Sequence, residues 1–177
     1  NLWDGTTSTA NGSLNVSLNP KQSKLFRLDV RVPANLRWNT NNNGAWDTGN
    51  SANWLNLTSS QQTVFNVGDQ VLFDDTTGVP TTVTLNSTGL PGNITVNSSL
   101  NNFVFSGPGK ISGTGGLVKQ GASTLSLNTT NDFTGPVTIG GGTVEAGAGA
   151  MNSTASLTIT NGGTLDLGGS SFPNAKA

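Results

Sequence analysis

Apolar and polar residues alternate with a period of two over much of this chain. Leu14, Val16 and Leu18 alternate with polar neighbours until Asn19-Pro20 breaks the run. Leu25-Phe26-Arg27-Leu28-Asp29-Val30-Arg31-Val32 then alternates again up to Pro33. Period-two alternation on both sides of a turn predicts a hairpin with one apolar face, which assigns residues 1–37 to an N-terminal β-hairpin. Two strands alone are marginal in water. The apolar face therefore needs a cover, from the rest of the chain or from a neighbour. Residues 38–92 hold Trp38, Trp46 and Trp54, spaced eight apart, with short strands at Val64–Val67, Val71–Phe73 and Val83–Leu85. This stretch is predicted to be a Trp-rich β cap.

From 93 to 177 the alternation becomes a repeat. Val137-Thr138-Ile139 and Gly141-Gly142-Thr143-Val144-Glu145-Ala146 return as Leu157-Thr158-Ile159 and Gly162-Gly163-Thr164-Leu165-Asp166-Leu167. The offset is 20 residues at the start and 21 at the end; Leu117 lies 20 before Val137, and Ile94 lies 23 before Leu117. Such a period, with two or three short apolar strands in each, suits one coil of a parallel β-solenoid. Inward Val, Ile and Leu would stack coil upon coil, with Thr and Ser outside. Glycine pairs and triplets such as Gly140-Gly141-Gly142 would turn the corners. They are not expected to cradle phosphate, because no helix follows to supply a positive N-terminus. By the same logic Glu145, Asp166, Lys110 and Lys119 are expected on the outside. One coil cannot bury its own apolar face, so the natural array is expected to continue beyond Phe172-Pro173.

Composition sharpens this all-β reading. Asn, Thr, Ser and Gly make up 90 of 177 residues, while 33% of the chain is hydrophobic and 10% charged. Disordered chains combine low hydrophobicity with high charge, and long helices need more Ala, Leu, Glu, Lys and Arg than are present. There is no Cys, His or Tyr, and Glu145 is the single Glu. That removes disulfides, the usual transition-metal ligands and any imidazole-activated nucleophile. The net charge of −1 provides no global basic field for nucleic acid or an anionic membrane. Lys21, Lys24, Arg27, Arg31 and Arg37 cluster near the N-terminus, as expected for charged outward positions that keep an edge strand from unwanted pairing. No stretch approaches the roughly 20 apolar residues of a membrane span. Asn1 in place of an initiator Met points to a processed product or an excised fragment.

The residues Gly115-Gly116-Leu117-Val118-Lys119-Gln120-Gly121-Ala122-Ser123-Thr124-Leu125-Ser126-Leu127, followed by Asp132-Phe133-Thr134-Gly135 and Gly141-Gly142-Thr143-Val144, resemble the autotransporter-associated β-strand repeat. That family reads G-L-x-K-x-G-x-G-T-L-x-L, then N-x-Y/F-T-G, then G-T-L. Ser123 stands for the usual Gly and Val144 for Leu. The resemblance implies a right-handed parallel β-helix in a secreted or cell-surface protein of a Gram-negative-type bacterium, with no catalytic residues in the repeats. The Trp-rich stretch ending in Phe73-Asp74-Asp75 is similar to the segment that often precedes such repeats. Separately, Leu2-Trp3-Asp4, Gly12-Ser13-Leu14 and Lys24-Leu25-Phe26-Arg27-Leu28 are similar to the last two strands of the C-terminal β-domain of α-galactosidase-like glycoside hydrolases. Lys21-Gln22-Ser23 stands where that family has a His. This second resemblance implies a hydrolase domain upstream, whose catalytic carboxylates would lie outside this chain.

Candidate chemistry is sparse. Asp74-Asp75 is the one adjacent carboxylate pair. Neighbours on a strand face opposite ways, which suits it poorly to glycosidase chemistry across a cleft. Asp69, Asp74 and Asp75 together with backbone carbonyls are a candidate Ca²⁺ site, and no other cofactor is expected; solvated turn residues are the simpler reading. Trp38, Trp46 and Trp54, set among Asn and Asp, are candidate carbohydrate contacts. Capping the solenoid end, where an open apolar core would otherwise face water, is the favoured reading, since Trp buries a large area. A sugar-binding role requires at least one exposed indole. Sequons at Asn11, Asn15, Asn56, Asn86, Asn93, Asn97, Asn128 and Asn152 are candidate glycosylation sites on an exported chain. The expected function is a non-catalytic extracellular structural element, a stalk or a fibre-forming subunit whose partner is itself through strand addition. The alternative is a polysaccharide-binding accessory module of a secreted glycoside hydrolase.

Overall fold

The computed structural model describes residues 31–39, 44–76, 81–160 and 162–168. Of the hairpin expected over residues 1–37, residues 1–30 lie outside them. The described residues form strands and turns, with no helix among them. In chain order the strands are β1 (Asn35–Trp38), β2 (Ala45–Trp46), β3 (Trp54–Asn56), β4 (Gln61–Thr63), β5 (Gln70–Asp74), β6 (Thr82–Leu85), β7 (Thr88–Gly89) and β8 (Asn93–Asn97). They continue as β9 (Phe103–Ser106), β10 (Lys110–Ile111), β11 (Gly116–Gln120), β12 (Thr124–Leu127), β13 (Val137–Ile139), β14 (Thr143–Ala146), β15 (Leu157–Ile159) and β16 (Thr164–Asp166).

These strands stack into a β-solenoid. One sheet has the order β15-β13-β11-β8-β5-β1-β3-β4 and the second the order β16-β14-β12-β9-β6-β2; β7 and β10 form a short third ladder. Pairing between successive coils is parallel throughout. The sequence offsets are the observed registers: Ile94 pairs with Leu117, Leu117 with Val137, Val137 with Leu157, and Val144 with Leu165. Parallel stacking also extends N-terminal to residue 93, because β5 pairs with β8 along five residues and β1 pairs with β5. The Trp-rich stretch thus belongs to the same stack as the repeats.

Alternation decides what fills the interior. Val71, Ile94, Leu117 and Val137 form one buried ladder, and Phe103, Leu125 and Val144 another. The corners depend on glycine where coils touch. Gly121 has φ of +73°, and a Cβ there would stand 2.2 Å from the Ser98 carbonyl oxygen. Any side chain would therefore both strain that corner and push the coils apart.

Candidate functional site

The three indoles of the second region are core residues. Trp38 and Trp46 are 1% exposed and Trp54 is fully buried. Trp54 lies 4.9 Å from Trp38 and 5.3 Å from Trp46, both edge to face. Trp46 also packs on Phe65 at 5.5 Å and Phe105 at 5.8 Å, distances typical of favourable aromatic pairs. No face of these rings is left for a sugar. The cluster sits where the stack begins, and antiparallel β3 and β4 extend the first sheet past β1 at the same end. The buried Asn53 amide donates to the Ala45 carbonyl at 2.8 Å, fastening β3's approach to β2.

The three candidate calcium ligands face N–H and O–H donors instead of a common point. Asp69 is buried and accepts from the backbone N–H of Ala34 at 2.7 Å and of Asn66 at 2.9 Å. Asp74 accepts from the Thr76 N–H and hydroxyl. Asp75 accepts from the Ser98 hydroxyl and from the backbone N–H groups of Ser99, Leu100 and Asn101 in the next corner. Those donors, the Ser98 hydroxyl foremost, hold its carboxyl far below the ordinary carboxylate range. Oxygens already committed to N–H groups are poor cation ligands. Among the described residues no cluster of three or more acids suited to a metal occurs.

Lys119 corrects an expectation. It was expected outside, yet it is fully buried, in register with Val96 on one side and Ile139 on the other. Its aliphatic stem fills one step of an otherwise apolar ladder. The ammonium donates to the carbonyls of Gln120 at 2.8 Å, Gly121 at 2.9 Å and Gly141 at 3.4 Å, satisfying three corner acceptors from two successive coils. Burial lowers its pKa, opposed by attraction to Asp75. The same corner requires Gly142, whose φ is +66° and where a Cβ would stand 2.3 Å from the Ser123 carbonyl oxygen and 2.5 Å from that of Gly121.

Sequence reasoning had not singled out Asn131. This buried side chain accepts from the Ile111 N–H at 2.9 Å and donates to the Thr129 and Ala150 carbonyls at 3.1 Å, tying together three successive coils. Its place in the N-x-F-T-G signature was the available signal. Two residues on, Phe133 lies in the core, and a Cβ on Gly135 would stand 2.2 Å from the Gly115 carbonyl oxygen.

The surface carries the remaining candidates. Glu145 and Asp166 are exposed neighbours in register, as expected, and the Ser126 hydroxyl donates to Glu145 at 2.6 Å. Lys110 is half-exposed and pairs with Asp132 at 2.5 Å, which lowers the Asp132 pKa. An open polar groove of about 440 Å³ is lined by Asn86, Ser87, Lys110, Asn128 and Thr130, among others. Asn86, Asn93, Asn97, Asn128 and Asn152 are exposed and Asn56 is half-buried; Asn11 and Asn15 lie outside the described residues. Among the described residues, no helix is long and apolar enough to cross a membrane.

Neither the comparison with curated proteins nor that with solved structures gave a match. A family model did, over the coils that hold Lys119 and Asn131. Residues 117–146 match the passenger-associated-transport-repeat family, so this solenoid carries an autotransporter-associated repeat.

Proposed function

We propose that this chain is a non-catalytic structural segment of a secreted or cell-surface bacterial protein, a stalk or fibre-forming subunit that associates with copies of itself. One observation carries the reading: the signature residues of the repeat are used in holding coil to coil. Leu117, Lys119, Leu125, Leu127, Asn131 and Phe133 are all buried, and the polar ones bond to backbone of adjacent coils. Nothing in that set is left over to bind or activate a substrate. The passenger-type repeat supports export to the bacterial surface. No cofactor enters this reading. Negative-stain electron microscopy of the purified chain tests it: regular filaments are expected, and isolated particles at every concentration would refute self-association. A second reading, contact with polysaccharide, draws on the polar groove beside Lys110 and not on the indoles. It predicts retention on an immobilised glycan that is lost when Asn86, Ser87 and Asn128 are replaced by Ala.

A further inference from the structure

The corners that follow β6, β9 and β12 lie on successive coils and differ in what they project. Asn86-Ser87-Thr88 and Asn128-Thr129-Thr130 carry amides and hydroxyls, whereas Gly107-Pro108-Gly109 between them is nearly bare. The open polar groove of about 440 Å³ is therefore walled by the outer two corners and floored by the middle one. Its floor cannot rise. A Cβ on Gly107 would stand 2.5 Å from the Leu85 carbonyl oxygen, and one on Gly109 would stand 2.3 Å from that of Ser87. Coil stacking requires both glycines, and the low floor comes with them.

The chemistry of the groove restricts its occupant. Asn86, Ser87 and Asn128 are exposed, and among the described residues their side chains have no hydrogen-bond partner. The corner backbone is already committed: the Gly109 N–H donates to the Leu85 carbonyl and the Asn128 N–H to that of Phe105, both at 2.8 Å. A peptide would thus find no ladder to join. Lys110 is the charged residue of the lining, and its ammonium is paired with Asp132 at 2.5 Å. The groove accordingly presents no net cation to an anionic polymer. What faces the solvent is a set of amides and hydroxyls on two walls, set apart by two inter-coil spacings of about 9–10 Å in all. Such walls match a chain whose own edges are hydroxyl groups.

We infer that this groove binds one unbranched, uncharged polysaccharide chain, seated over Gly107-Pro108-Gly109. Its hydroxyls exchange hydrogen bonds with Asn86 and Ser87 on one wall and with Asn128 on the other. A branch, or a second chain alongside, would meet a wall. This inference rests on the polysaccharide reading and names the class of ligand and its seat.

Titration of the isotope-labelled full chain, followed by amide NMR, tests it with cellohexaose, mannohexaose and maltohexaose as neutral probes and hexagalacturonate as the anionic one. At least one neutral sugar is expected to shift the backbone amides of Gly107 and Gly109 and the side-chain amides of Asn86 and Asn128. Its affinity should change less than about twofold as salt is raised, since no charge is paired. Replacing Asn86 and Asn128 together by Ala should weaken that binding about tenfold, the scale of two hydrogen bonds, with the rest of the spectrum in place. Binding of hexagalacturonate alone, falling as salt is raised, would overturn the uncharged ligand and leave polysaccharide contact standing. A neutral sugar that shifts other signals and leaves these unmoved would overturn the seat. No shift from any of the sugars would overturn this inference, and a lack of retention on immobilised glycan as well would overturn the polysaccharide reading with it.

Discussion

The end at β4 and the end at β16 pose the same physical problem and handle it differently. A solenoid exposes an apolar cross-section wherever stacking stops. At the β4 end three Trp and Phe65 fill the cross-section, and two antiparallel strands carry the first sheet out to the polar residues Gln61 and Gln62. At the β16 end the ladder residues simply become exposed: Ile139 is fully buried and its in-register successor Ile159 is 45% exposed. The aromatic cluster closes one end of the described stack, while the last described coil at the other leaves its ladder residues partly in water.

Truncation should separate the two ends most sharply. Trp46→Ala is expected to cost about 3–5 kcal/mol, since it removes a large buried ring from the aromatic cluster. Ile159→Ala at the open end should cost about 1 kcal/mol or less, because much of that side chain is already in water. Urea denaturation of the two variants side by side measures the contrast. Equal losses would mean that the open end is covered after all.

Between the ends, Lys119→Met keeps the stem in the ladder but strips the donor from three corner carbonyls. A loss of about 1–3 kcal/mol is expected from the unpaired acceptors. The pH profile adds a second signature. The folded-state pKa of Lys119 lies below its ordinary 10.5, so the unfolded chain binds more protons between those two values. Stability should therefore rise with pH through that alkaline window in the parent and stay flat in Lys119→Met.

The last contrast concerns a carboxylate whose pH dependence is confined to acid. The folded-state pKa of Asp75 is depressed, so its contribution is fully present above its ordinary 3.8 and is lost as pH falls from there through the folded value. Asp75→Asn should be less stable than the parent at neutral pH, and the gap should close on acidification, as followed by thermal melts between neutral pH and pH 2. A gap that is constant with pH would show that the carboxylate's charge does not matter in this corner.

Several features were legible in the residues because each coil contacts a copy of its own pattern. A 20-residue offset between Leu117 and Val137 is at once a sequence repeat and a pairing register. Lys119 was legible too, although its residue type argued otherwise. It stands two residues after Leu117, hence on the same strand face, and the offsets of 23 and 20 align it with Val96 and Ile139. The rule that Lys stays outside failed here because the corner supplies three carbonyls within reach of its long stem. The Trp row was ambiguous for a different reason. Spacing by eight says nothing about which side of a strand each indole takes once β2 and β3 enter different sheets.

The sequence by itself determined the all-β class, the coil length and the stacking register, because a parallel solenoid writes its nearest-neighbour contacts into a short period. Only the tertiary structure decided which end is closed, where the indoles go and what the acids of residues 69–75 bind. Those depend on antiparallel strands and corner hydrogen bonds that occur once in the chain and so leave no repeat to read.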